Sequence, residues 1–339
     1  MAASIRNAPA MKRSLLFCLA CISIKLSSGL LLAESAPDII TFFGMCNASA
    51  ITAVDSDRFI VADDEDNVLR IYRRTGGKPL AEQDVSEFIG NKGKKKTKEA
   101  DLEASARIGT RTFWISSHGR NSTGKEMPDR QRLFATDIRL SGDSVAIEPT
   151  GKPYTGLLHD LINEKRFAHY KFAEAAKIAP KSPGALNIEG LSATPENHLL
   201  IGFRNPVPEG KAVLIPLLNP NEVIQGEHAR FGDSIELDLG GLGIRGIDYQ
   251  SGRYMIIAGP INEGGTSRLY EWNGKDQVHL VKGISFAGLN PEGVAFKGED
   301  GTGEYFVISD DGTLPIDGIS CKDLEDQTKR EFRGKVFKF

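Results

Sequence analysis

Cysteine is scarce. The 339 residues hold four, and Cys18 and Cys21 make a lone C-x-x-C with no second pair, so the spacing of a structural zinc site is missing. Neither G-x-S-x-G nor H-E-x-x-H occurs, which removes the common serine-hydrolase and zinc-peptidase patterns. Positive charge is not in excess either: 42 Lys and Arg stand against 45 Asp and Glu, a formal −3, whereas a nucleic-acid binder needs a basic face. The one basic run, KGKKKTK at residues 92–98, reads as a solvated loop. The G-x-G-x-x-G of Gly241–Gly246 fails as a dinucleotide site, because the strand-like IDYQSGRYMIIAGP follows where a helix is required. DDEDN, from Asp63 to Asn67, starts like a calcium loop but lacks its glycine and later glutamate.

No apolar run reaches the roughly 20 residues of a membrane span. The longest candidate lies at the N-terminus, where Arg6, Lys12 and Arg13 precede SLLFCLACISI and Lys25 interrupts before LSSGLLLAESA. This order reads as a secretory signal peptide over residues 1–36, with Met11 an alternative start and Ala33 and Ser35 at the small-residue positions of the cut. An uncleaved anchor and a lipoprotein at Cys21 are the weaker readings. Export places the remainder, residues 37–339, in the periplasm or outside the cell. It then carries a formal −6, no membrane span and two cysteines, Cys46 and Cys321, which an oxidising compartment allows to pair. Two unrelated buried thiols are the alternative.

What the sequence does contain is a repeat. Segments starting at Ala48, Glu103, Glu189, Arg245 and Glu292 share one layout. Counting each start as zero, isoleucine falls at plus twelve in four of them (Ile60, Ile115, Ile201, Ile257) and at plus sixteen in the fifth (Ile308), whose turn is longer. Each segment reads as a strand, a polar turn and a more apolar returning strand, as in RFIVA, TFWIS, HLLIG, YMIIA and YFVIS. Further strands follow: NVLRIYRR, RLFATDI, AVLIPLL, RLYEWN and KVFKF. Four short strands per unit of about 50 residues read as an all-β fold, a β-propeller of five blades. Residues 156–181 have apolar spacing of helical type ahead of Pro180 and Pro183 and read as a helical insertion; a sixth blade fits only if that region hides strands. The last unit lacks a fourth strand, which DIITFFG at residues 38–44 would supply, closing the ring and covering the sheet edges.

In such a ring both ends of every inner hairpin meet at one mouth of the central channel. The position-zero set is Ala48, Glu103, Glu189, Arg245 and Glu292; the returning ends are Asp63, His118, Arg204, Pro260 and Asp311, with Asp64, Arg120 and Asp310 beside them. Carboxylates about 4 Å apart repel by roughly 4 kcal/mol at an effective dielectric near 20. A ring of them recruits a cation, holds protons or leans on arginines. The sequence therefore nominates Glu103, Glu189, Glu292, Asp63 and Asp311 as ligands for a hard metal such as calcium or magnesium. It nominates Arg120, Arg204 and Arg245 as a clamp for a small anion, and Glu189 and His118 as candidate catalysts. Charged residues that only hold blades in register are the plainer alternative.

The segments CNASAITAVDSDRFIVADDEDNVLRIY, WISSHGRN, NIEGL, LLIGFRNP, LDLGGLGIRGI and SDDGT together resemble a bacterial family known as domain of unknown function 3616, from about Cys46 to the C-terminus. The resemblance implies secreted or cytoplasmic bacterial relatives without an agreed activity. More loosely, the repeated E-G-[ILV] hairpin is similar to phytase-like and esterase-like propellers. Those bind calcium on mouth carboxylates and act on anionic esters; here Ala48 and Arg245 break the row. The sequence thus points to an exported monomer that binds a small anionic ligand, with a divalent cation as its partner. A metal-dependent phosphoesterase or carboxylic-ester hydrolase, and a non-enzymatic interaction platform, are the rivals.

Overall fold

Alternating apolar residues bounded by Gly, Asp and Asn turns give twenty-two strands in the computed structural model, which describes residues 39–142, 144–262, 264–296 and 303–338. The signal-peptide reading of residues 1–36 lies outside the described residues.

Strand β1 (Ile39–Phe43) comes first but joins the last sheet. Blade 1 is β2 (Ala48–Ala53), β3 (Arg58–Asp63), β4 (Val68–Arg73) and β5 (Ala81–Asp84). Blade 2 is β6 (Leu102–Ile108), β7 (Arg111–Ser116), β8 (Leu133–Ser141) and β9 (Ser144–Tyr154). Blade 3 is β10 (Asn187–Ala193), β11 (Leu199–Asn205), β12 (Ala212–Leu217) and β13 (Ile235–Leu237). Blade 4 is β14 (Gly243–Gln250), β15 (Arg253–Gly259), β16 (Arg268–Trp272) and β17 (Val278–Leu280). Blade 5 begins with β18 (Pro291–Phe296) and β19 (Glu304–Ser309); a small hairpin of β20 (Pro315–Ile316) and β21 (Ile319–Ser320) intervenes before β22 (Glu331–Lys338). Its order is β1-β22-β19-β18, so the N-terminal strand supplies the outer edge, with Ile39 opposite Lys335 and Phe43 opposite Glu331. The inner strands β2, β6, β10, β14 and β18 touch in cyclic order. The fold is a five-bladed β-propeller.

Ring closure is an aromatic event. Phe42 of β1 stacks on Phe332 at 4.9 Å and meets Phe59 edge-on at 5.3 Å, sealing blade 5 against blade 1. At the mouth, Cys46 and Cys321 form a disulfide between the same two blades.

Residues 156–181 do not form one helix. They make α1 (Leu157–Asn163), a 3-10 turn (Lys165–Tyr170) and α2 (Phe172–Ala175), broken at Lys171, whose φ of 54° is left-handed. The apolar spacing is spent on packing: Phe167 meets Phe231 at 5.7 Å and Phe172 stacks on Phe203 at 5.2 Å. No described helix is long and apolar enough to cross a membrane.

Neighbouring inner strands approach closely where the repeat places a small residue after position zero. A Cβ on Gly190 would lie 2.7 Å from Ile244 Cγ2 and 3.0 Å from Gly202 Cα. Gly190→Ala should therefore destabilise by about 1–3 kcal/mol through overpacking, read as a lower midpoint in urea; an unchanged midpoint would show that blades 3 and 4 have slack.

Candidate functional site

Each inner hairpin carries a bulge at one place. The register slips between Ala48 and Ala50, Leu102 and Ala104, Ile188 and Gly190, Ile244 and Gly246, and Pro291 and Gly293. The bulged residues are Ser49, Glu103, Glu189, Arg245 and Glu292. A bulge re-aims the side chain it carries, and all five line one axial cavity of about 1080 Å³. Ala48 is the first correction: it is buried in the seam between blades 1 and 5, and Ser49 takes its place in the ring. Below the mouth the channel narrows to a void of about 10 Å³ among Ile51, Leu191, Ile247 and Val294.

The ring has two unlike halves. On blades 3, 4 and 5 the charges pair. Glu189 Oε1 accepts from Arg204 Nη1 and from Asn187 Nδ2, both at 2.7 Å. Arg204 Nε donates to the Pro260 carbonyl at 3.0 Å, and Arg245 Nε donates to Glu292 Oε2 at 2.9 Å. The two bonds to Glu189 lie within blade 3, and the bonds to Pro260 and Glu292 run to the next blade and hold the blades in register. Arg204 and Arg245 are neutralised where they stand. Arg120 is turned away from the cavity, donating to the Ala176 carbonyl at 2.8 Å and the Gly124 carbonyl at 3.0 Å. The three arginines thus form no open anion clamp.

On blades 1 and 2 the charges accumulate. Carboxylate oxygens of Asp64, Asp101 and Glu103 all lie within 4.8 Å of one another. Burial, and then the neighbouring carboxylates, push the Asp64 and Glu103 carboxyls well above their usual range. Asp101 is also raised by burial, although Ser117 Oγ and Arg130 Nη1, the latter at 2.9 Å, donate to it. Burial and the adjacent Asp101 lift Glu99 to about 7, while Asp310, raised by burial, lines the same wall. Among the described residues, three buried oxygens on the cavity wall accept no hydrogen bond: Asp64 Oδ1, Asn47 Oδ1 and, on blade 3, Glu189 Oε2, the last 3.4 Å from Arg245 Nε but without hydrogen-bonding geometry.

The returning ends need correction too. Asp63 is 7% exposed and accepts from the amides of Asn47 and Glu65. Asp311, 3% exposed, is held by Arg333 at 2.7 and 2.8 Å. Neither lines the cavity; their neighbours Asp64 and Asp310 do. His118 is also off the wall, 2% exposed, with Nδ1 2.8 Å from the Ser116 carbonyl. The sequence reading missed Asp101, although D-L-E at 101–103 places two acids at strand period on one face.

His118 gives a pH prediction. Burial lowers it from 6.5 to about 4. Between those values the folded state binds fewer protons than the unfolded chain, so this contribution is intact above pH 6.5 and is lost as pH falls through 4, a difference of about 3 kcal/mol. The raised carboxylates act in the opposite sense, so the parent is compared with His118→Asn, which tolerates the φ of 55°. Urea titrations at pH 7 and 4.5 should show the variant losing less stability on acidification; parallel losses would mean that His118 is hydrated.

Residues 143–287 match the family described as "Protein of unknown function (DUF3616)". NIEGL, LLIGFRNP and LDLGGLGIRGI lie inside that stretch, so the family resemblance holds there, over a narrower span than from Cys46 onward. Solved structures similar to this chain include glutaminyl cyclase of Myxococcus xanthus (11% identity, 88% of this chain and 94% of that one, TM-score 0.44). Another is an exo-β-1,3-galactanase of Phanerochaete chrysosporium (7% identity, 89% and 63%, TM-score 0.46). Likenesses this remote carry no argument about ligand or activity. No curated relative matches the sequence.

Proposed function

We propose that this is an exported propeller whose mouth binds a hard divalent cation, calcium or magnesium, on Asp64, Asp101 and Glu103, and through that cation a small anionic ligand. The cluster of three carboxylates, with Asp64 Oδ1 lacking a hydrogen bond, carries the reading. An all-oxygen donor set suits calcium or magnesium rather than a soft metal. A bound cation would relieve repulsion of roughly 4 kcal/mol per close pair and give Asp64 Oδ1 a partner. It also explains how an acidic mouth takes an anion when Arg204 and Arg245 are already engaged: the cation, with open coordination positions towards the cavity, supplies the attraction. Export rests on the charged and apolar pattern of residues 1–36 and suits a compartment rich in free calcium.

Calorimetric titration of the chelator-treated protein with calcium and magnesium chloride tests this. Glu103→Gln should weaken binding at least tenfold, and Asp311→Asn, which changes a carboxylate off the wall, should leave it alone. No heat of binding from either ion, or equal affinity in parent and Glu103→Gln, would contradict the reading.

A further inference from the structure

Four acids meet where the ring closes. Asp63 and Asp64 stand at the end of β3 in blade 1, and Asp310 and Asp311 just after β19 in blade 5. The segment Cys46–Asn47 is threaded between them. On one side Asp64 N donates to the Asn47 carbonyl at 3.2 Å and Asn47 N to Asp63 Oδ2 at 3.3 Å. On the other, Asp311 N donates to the Cys46 carbonyl at 2.9 Å, and Asn47 pairs with Asp310 as an antiparallel bridge. The fit is close: a Cβ on Gly312 would fall 2.0 Å from Asn47 Oδ1. Asn47, Asp64, Asp310 and Gly312 all line the axial cavity, so this seam is one wall of the cation site.

The seam is assembled against charge, since Asp63 and Asp310 both repel the Asp64 carboxylate. The covalent tie across it is the Cys46–Cys321 disulfide. Cys321 sits at the base of the β20–β21 hairpin, where Cys321 N donates to the Leu314 carbonyl at 2.9 Å and Lys322 N to the Gly312 carbonyl at 3.0 Å. The disulfide therefore fastens the threaded segment to the hairpin that leaves Gly312. Phe42, Phe59 and Phe332 close the same two blades by apolar contact, but none of these rings lines the cavity.

Resting on the cation reading above, we infer that this disulfide licenses the cation site: the ion is held tightly only after Cys46 and Cys321 have been oxidised. In the dithiol form the aromatic rings still close the propeller, but the acids at the seam spread, Asn47 shifts, and Asp64 is no longer held beside Asp101 and Glu103. Oxidation is an exchange with a disulfide oxidant of the export compartment. The Cys46–Cys321 bond forms, the oxidant's disulfide breaks, and two electrons and two protons pass to it as two thiols. Cys46 and Cys321 are 2% and 0% exposed, so this exchange precedes closure of the seam. A chain kept in a reducing compartment retains its thiols and an unassembled site, and an exported one gains the ion together with the bond.

The test is calorimetric titration with calcium chloride of the oxidised parent, of the parent refolded in dithiothreitol, and of the double variant Cys46→Ser with Cys321→Ser. The last two should bind calcium weaker by about tenfold or more, within the usual range of coupling between sites. Gly312→Ala, which keeps the disulfide but drives a methyl into Asn47, should weaken calcium as well. Phe42→Leu, which loosens the same two blades away from the mouth, should melt lower and bind calcium like the parent. Equal affinity in the oxidised parent and the folded double variant overturns the inference and leaves the cation reading standing. So does a Phe42→Leu variant that loses affinity in step with its stability, because affinity would then follow the fold alone. Where the double variant loses its strand signal in circular dichroism, Gly312→Ala decides, and parental affinity there overturns the inference. No calcium binding by the oxidised parent removes the cation reading itself.

Discussion

Calcium at a hundredfold excess over its dissociation constant should raise the stability of the parent by about 2.7 kcal/mol and that of Glu103→Gln, which binds at least tenfold more weakly, by no more than about 1.4 kcal/mol. The opposite order should hold in chelator, where Glu103→Gln is at least as stable as the parent. The physical reason is the environment of the side chain. Burial and the neighbouring Asp101, Glu189 and Asp64 carboxylates disfavour the ionised form of Glu103. Glutamine removes an acid whose ionised form its surroundings oppose. Once a cation arrives the same charge becomes an asset, and its loss removes a ligand. Urea denaturation of both proteins, with EDTA and with calcium, gives four midpoints. A crossing pattern is expected. Parallel stabilisation of parent and variant by calcium would put the ion elsewhere on the protein.

Separate replacement of Cys46 and Cys321 by serine should each cost about 5 kcal/mol, as much as the largest core truncations. The bond spans 275 residues, so in the unfolded chain it closes nearly the whole described molecule into one loop. It also joins the first and last blades where the ring closes, beside Asn47 and Lys322, which both line the cavity. A fall of roughly 10 °C in the melting temperature is expected, and dithiothreitol should lower the parent to meet the variants after unfolding but not before, since both cysteines are buried. Should the variants melt with the parent, the β1–β22 pairing and the Phe42 cluster close the ring by themselves.

How much of this was legible in the residues differs from element to element. The blades were, because strand period and turn chemistry are local, and five isoleucines in register fixed the hairpins. The supply of the last strand by residues 39–43 followed from counting strands. The mouth was legible only in outline. Spacing places a residue at the correct end of a strand, but the bulge that turns Glu103, Glu189, Arg245 and Glu292 into the channel is a property of the paired strands. In blade 1 that bulge falls on Ser49, one residue beyond the count. Counting also cannot separate Asp63 from Asp64, or Asp311 from Asp310: of two adjacent acids, backbone amides or Arg333 capture one and the other faces the cavity. Asp101 enters the site from the β5–β6 connection, outside the hairpin repeat. The pairing of Glu189 with Arg204, spaced fifteen apart, was the part of the site the sequence displayed most openly, and it proves to clamp two strands of blade 3, while Arg204 also reaches the Pro260 carbonyl of blade 4.

Crystals soaked in calcium chloride, with diffraction collected to give an anomalous difference map, offer the most direct measurement. A peak should stand among Asp64, Asp101 and Glu103, with carboxylate oxygens at about 2.3–2.6 Å from it. A map with no peak there, or with its calcium on residues outside the axial cavity, would contradict the account.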